Sequence, residues 1–210
     1  MQEHSEILTT PSLEKMSRTI DVVVTLQPDG TAYLAEQTWS ALDDLVKKLD
    51  EGLSIKIIKE KTDSVVNVRI TVKYIADKDP EYPVDKVLLS ISDIDDSGQK
   101  KIGQIDLSIY TVEGEKVGRS LQLNYLKGEK ETYQNQGIMR VARGLCVAYL
   151  YQKGIRSLHT EVANQNQEML AVANKTVIFE GVSLKRAQHP EPIAGTNASR
   201  HKYQITRQES

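Results

Sequence analysis

The residues best placed for chemistry are Gln134-Asn135-Gln136-Gly137-Ile138-Met139, a polar, glycine-bearing loop between a strand-like stretch and a helix-length apolar run. The first amides of a helix have no intrahelical acceptor and lie at the positive end of its dipole, so a pyrophosphate can accept several N–H bonds there at once. Glycine at 137 keeps a side chain from holding the phosphate away. Arg140 and Arg143 follow in the first two turns, where the dipole does not favour cations. Two placements stay open for Arg140, beside a phosphate or on a solvated face.

Further candidates lie on either side. His159 and Glu161 share one face of a strand, opposite Leu158, Thr160 and Val162, and face a cleft or solvent. Glu129 and Glu131 precede the loop and are carboxylates of the kind that serve as bases, with simple solvation as the default. Cys146, inside the apolar run, reads as a small core residue. The sequons at Asn174 and Asn197 read as chance matches.

The elements that must position these residues follow from periodicity. Ile20–Leu26 and Thr31–Leu34 flank Gln27-Pro28-Asp29-Gly30 as a hairpin. Trp39, Leu42, Leu45, Val46 and Leu49 recur at helical spacing, with Thr38 or Ser40 as cap and Gly52 as stop. Strands are predicted at 53–59, at 66–74 and 87–91, around 105–109 and at 121–125, with turns at 95–98 and 113–115. Ile138 to Lys153, apolar on most faces, predicts a helix packed between layers and ended by Gly154. A strand from 156 to 163, a helix from 166 to about 178, and closing strands near Leu184 and at 202–206 complete an α+β sheet protein.

Bulk properties exclude several classes. The 210 residues suffice for a sizeable core, and 27 Lys and Arg against 29 Asp and Glu create no global field toward nucleic acid or a membrane surface. One cysteine excludes an internal disulfide and any multi-thiolate zinc site. Residues 1–18 read as a disordered leader without the features of a secretory signal, which points to a cytoplasmic protein.

The loop resembles the acetyl-CoA loop of the GCN5-related N-acetyltransferases: Gln or Arg, two residues, Gly, one residue, then Gly or Ala. Gln134 and Gly137 match, while Met139 departs. Gly137 and Gly154 stand seventeen positions apart, as the family's two glycines do, and Leu158, Thr160, Glu161, Val162 and Asn166 resemble its Leu-x-Leu-Glu-Val, three residues, Asn. The resemblance implies a mostly antiparallel mixed sheet flanked by helices, and acetyl-CoA as acyl donor without a metal. It implies that the 121–126 strand, through Asn124 and Tyr125, serves the pantetheine arm and the thioester carbonyl. Residues Gln134, Asn135, Gln136, Gly137, Ile138, Met139 and Arg140 would hold the pyrophosphate, and Asn166 would touch the cofactor. The acceptor would be an amine on a small molecule or protein, with neither nucleic acid nor membrane as partner and a homodimer left open.

Two departures accompany it. The tyrosine that commonly protonates the leaving thiolate is replaced by Ala173 or Val177, depending on the direction of counting, which leaves Glu161 as the candidate base and Tyr203 as an alternative acid. One helix, not two, precedes the run of strands, so residues 19–60 read as a segment that could be an added module before an acyl-CoA-binding domain at 61–210. The alternatives are a catalytically silent acyl-CoA sensor or interaction module, and an unrelated nucleotide-binding protein.

Overall fold

A computed structural model describes residues 19–28, 32–35, 42–77, 84–95, 99–126, 128–166, 179 and 181–207, the side chains of 32–35 and 120–123 excepted. The expected leader, the caps at Thr38 and Ser40, Trp39, and the helix after Asn166 with Ala173 and Val177 lie outside the described residues.

Alternating apolar residues build one sheet from β1 (Val22–Leu26), β2 (Ala32–Ala35), β3 (Leu53–Lys59), β4 (Ser64–Ile75), β5 (Asp85–Asp93), β6 (Lys101–Val112), β7 (Glu115–Tyr125), β8 (Ser157–Ala163), β9 (Val182–Arg186), β10 (Glu191–Pro192) and β11 (Ala198–Arg207). Their order is β10-β11-β8-β7-β6-β5-β4-β3-β1-β2, with β9 also on β11. All neighbours are antiparallel except β1 with β3 and β7 with β8. The sheet is therefore mixed and mostly antiparallel, as the sequence implied.

Among the described residues three α-helices accompany it: α1 (Leu42–Glu51), α2 (Lys130–Tyr133) and α3 (Ile138–Gln152). Helix α1 buries Leu42, Leu45, Val46 and Leu49 and stops at Gly52, whose φ of 106° suits glycine. Helix α3 is different in kind, because every residue from Val141 to Leu150 is buried. A helix with no wet face must be surrounded.

The sheet does the surrounding. Strands β1 and β11 lie seven places apart in the order, roughly 34 Å if the sheet were flat. Yet α3 meets both: a Cβ on its N-cap Gly137 would fall 2.0 Å from Leu26 Cδ1 on β1, and the Arg143 guanidinium lies 5.6 Å from the Tyr203 ring centre on β11. Gly137 and Arg143 are only about 9 Å apart along a helix. The sheet therefore curls around α3, and α1 packs on α3 to close the trough. Among the described residues no helix is long and apolar enough to cross a membrane.

Candidate functional site

The site begins with a fork between β7 and β8. These parallel strands pair only over Val117–Ser157, Gly118–Leu158 and Arg119–His159, although β7 runs on to Tyr125 and β8 to Ala163. The cause lies on the other side of β7. Its register with β6 jumps from Ser108–Arg119 to Asp106–Gln122, so residues 120 and 121 oppose Leu107 as a bulge. A bulge bends its strand and sharpens the twist, and this one sits where the pairing with β8 ends. Past it, β7 bonds to β6 and, among the described residues, has a free edge toward β8; Asn124 and Tyr125 stand at its open end, paired with Gln104 and Gly103.

From that end the chain passes through α2 into the predicted loop. Arg140 and Val141 N–H both donate to the Gly137 carbonyl, at 3.0 and 3.2 Å, so the amides of Ile138 and Met139 precede the first intrahelical bonds. The Ile138 side chain is buried in the core, Met139 packs partly against it, and Arg140 is half-buried. The loop is held from several strands. Lys59 Nζ on β3 donates to the Asn135 carbonyl at 2.8 Å, and Gln136 Nε2 donates to the Thr132 carbonyl at 3.0 Å. Tyr125 Oη donates to the Tyr133 carbonyl at 3.4 Å, and the Tyr133 hydroxyl bonds Asp93. Gln134 is half-buried beside them. Gly137 has φ 83°, and Leu26 occupies the space a Cβ would need, so packing against β1 demands glycine whatever lies over the loop.

The two catalytic candidates do not meet. Glu161 pairs across β11 with Arg200 on the wetter face of the sheet, where Arg119 and Arg200 reach its Oε1 at 2.7 and 3.1 Å. The hydrogen bonds from these guanidiniums hold its carboxyl below the usual range, so it stays ionised and is a weak base. His159, on the same face, has its pKa lowered by partial burial and by Lys202, Arg200 and Arg119, which favours its neutral form. Tyr203 pairs with Leu158 on the face under α3 and is 3% exposed.

Of the remaining candidates, Glu129 is buried in an ion pair with Lys100 at 2.7 Å, and Glu131 is exposed. Cys146 is fully buried, and that burial pushes its thiol up to about 12. Asn166 lies in the turn after β8, its N–H on the Ala163 carbonyl at 2.8 Å, and is exposed at the open end of the fork.

Sequence reasoning named Arg143 and Thr160 without giving either a role and did not single out His201; all three are buried on the face under α3. The signal for Arg143 was its position inside a run apolar on every side. For His201 and Tyr203 it was alternation with Lys202 and Gln204 in the last strand.

No family model and no curated protein matches the sequence. Solved structures do. The spermidine/spermine N-acetyltransferase SpeG of Vibrio cholerae is 14% identical, with a TM-score of 0.38 over 57% of this chain and 64% of that one. This chain thus spans under two thirds of the SpeG length. An acetyltransferase of the GNAT family from Streptococcus pneumoniae is 17% identical, with a TM-score of 0.39 over 57% of this chain and 67% of that one.

Proposed function

We propose that this protein is an acyl-CoA-dependent N-acyltransferase that moves an acetyl or related acyl group from CoA to an amine. The observation that carries this is the bulge-driven fork between parallel β7 and β8, opening at the same end as the uncapped start of α3. Ligands of such sheets bind beyond the carboxyl ends of parallel strands that part. The free edge of β7 can bond the amides of the pantetheine arm as an added strand would. The Ile138 and Met139 amides, with Arg140, can take the pyrophosphate.

In that arrangement the thioester lies in the fork beside Asn124 and Tyr125. A β7 main-chain N–H polarises its carbonyl and steadies the oxyanion as a neutral amine attacks. The attacking nitrogen gives up its proton to water, the C–S bond breaks, and the leaving thiolate takes up a proton from water or a hydroxyl. Glu161, ionised between two arginines, orders the strand ends and is not the base. Because Gly137 is fixed by packing, the phosphate role is better tested at exposed Asn135, whose φ of 65° aspartate also tolerates. Asn135→Asp adds a charge that favours the helix start but repels phosphate. Calorimetry should show acetyl-CoA binding to the native protein, no binding of ATP or NAD, and affinity about tenfold lower in the variant without loss of thermal stability. Equal affinity in both proteins would remove the pyrophosphate from this loop.

A second function, acyl-CoA binding without transfer, is favoured by one observation: Glu161 is locked in ion pairs while Tyr203 is buried on the other face. Turnover of any primary amine in a panel, measured as released CoA thiol, would exclude it.

A further inference from the structure

Four buried polar atoms without hydrogen-bond partners among the described residues lie near the base of the fork, on the face covered by α3. Thr160 is the first β8 residue beyond the last pair with β7, and its partner on β11 is His201. The His201 and Tyr203 rings lie 6.4 Å apart and nearly parallel, and the Arg143 guanidinium lies 5.6 Å from the Tyr203 ring centre. Arg143, Thr160, His201 and Tyr203 are 5, 4, 2 and 3% exposed, and among the described residues Arg143 Nη2, Thr160 Oγ1, His201 Nδ1 and the Tyr203 hydroxyl meet no hydrogen-bond partner at standard geometry, although the Tyr203 hydroxyl lies close enough to Arg143 to favour its charged form.

Buried polar atoms are nearly always paired, and a buried cation is rare without an acid beside it. Among the described residues, the groups that act on the Arg143 charge are Tyr203 and Cys146, with no carboxylate beside them. Water could serve the hydroxyls and the imidazole but would leave the charge uncompensated. A fixed guanidinium with two hydroxyl donors near it matches the charge and lone pairs of a carboxylate.

We propose that Arg143, Thr160, His201 and Tyr203 form a buried carboxylate site. Resting on the acyl-CoA function above, the acyl group delivered into the fork then ends in a carboxylate, as in the monothioester of a dicarboxylic acid. Guanidinium and hydroxyls recognise the far end of the acyl chain while its thioester stays at the strand edge.

The test uses the full chain as wild type, Arg143→Met and Tyr203→Phe, with succinyl-CoA, acetyl-CoA and free succinate as probes. Methionine replaces the buried charge with an apolar side chain of similar reach, a change proteins commonly tolerate. Should it fail to fold, the one-hydroxyl change at Tyr203 carries the comparison. Wild type should bind succinyl-CoA about tenfold or more tighter than acetyl-CoA, and free succinate should raise its Tm. Arg143→Met should lose both effects, and Tyr203→Phe should lose part of each. If the preference and the Tm shift are absent in wild type, or persist in Arg143→Met, the carboxylate site is wrong. If succinate stabilises wild type alone while neither CoA ester binds, the carboxylate site stands and the acyl-CoA function falls.

Discussion

At Gly137 a conformational demand and a packing demand fall on one Cα. The left-handed φ costs an ordinary residue about 1–2 kcal/mol, and a Cβ pressed on Leu26 adds overpacking of about 1–3 kcal/mol. Gly137→Ala should therefore lower unfolding free energy by about 2–5 kcal/mol in urea titrations. Leu26→Ala opens the space that the new Cβ needs, so the double variant should lose less than the sum of the two single losses. Strict additivity would mean that the contact with β1 is not what requires the glycine. Cys146 makes a second prediction at this scale: its thiol, pushed up to about 12 by burial, should resist iodoacetamide at pH 8 in the native protein and react once denaturant unfolds it. Labelling at the rate of a free thiol would place Cys146 outside the core. The core role of Cys146 was legible from the apolar run around it. The burial of Arg143 was not, because arginine's type predicts a wet face and only the curl of the sheet supplies the second wall.

Between single residues and the whole lie the strands and helices, and here periodicity served well. The run 53–59 is strand β3 as read, and α3 begins at Ile138 as read and ends at Gln152, one residue before the predicted end. The fork was less legible. It depends on a bulge at 120–121, and a bulge is a pairing property with no local sequence signature here. The same holds for Glu161, whose two arginines come from β7 and β11, remote in sequence. Their ion pairs place the folded carboxyl below its unfolded value of about 4.3, so the stabilisation is complete above that value and is lost as pH falls through the folded one. Glu161→Gln should flatten this acid limb of a stability-against-pH curve. The effect should be small and should vanish in 1 M salt, because the side chain is 40% exposed. An unchanged acid limb would show that these pairs do not persist in solution. In any amine-transfer assay, the same variant should keep the wild-type pH profile above pH 6, since Glu161 is already ionised there.

For the whole molecule, the curl of the sheet makes the first strands part of the site's support. Leu26 on β1 contacts the start of α3, Lys59 on β3 holds the loop, and α1 packs on α3. We expect residues 19–60 to fold with the rest, so that a chain starting at residue 61 exposes α3 and gives no cooperative thermal transition; a sharp transition in that shortened chain would make the segment an independent addition. A mixed, mostly antiparallel sheet was implied by the family resemblance, whereas the closure of β1 and β11 around one helix was not, because it arises from contacts between strands seven places apart. The central claim is that the free edge of β7 and the start of α3 together hold acyl-CoA, and hydrogen exchange of the full chain with and without acetyl-CoA tests it most directly. The prediction is slowed exchange at amides within 120–125 and at Ile138 and Met139, with little change in β3 to β5. Protection elsewhere, or none at saturating acetyl-CoA, would contradict it.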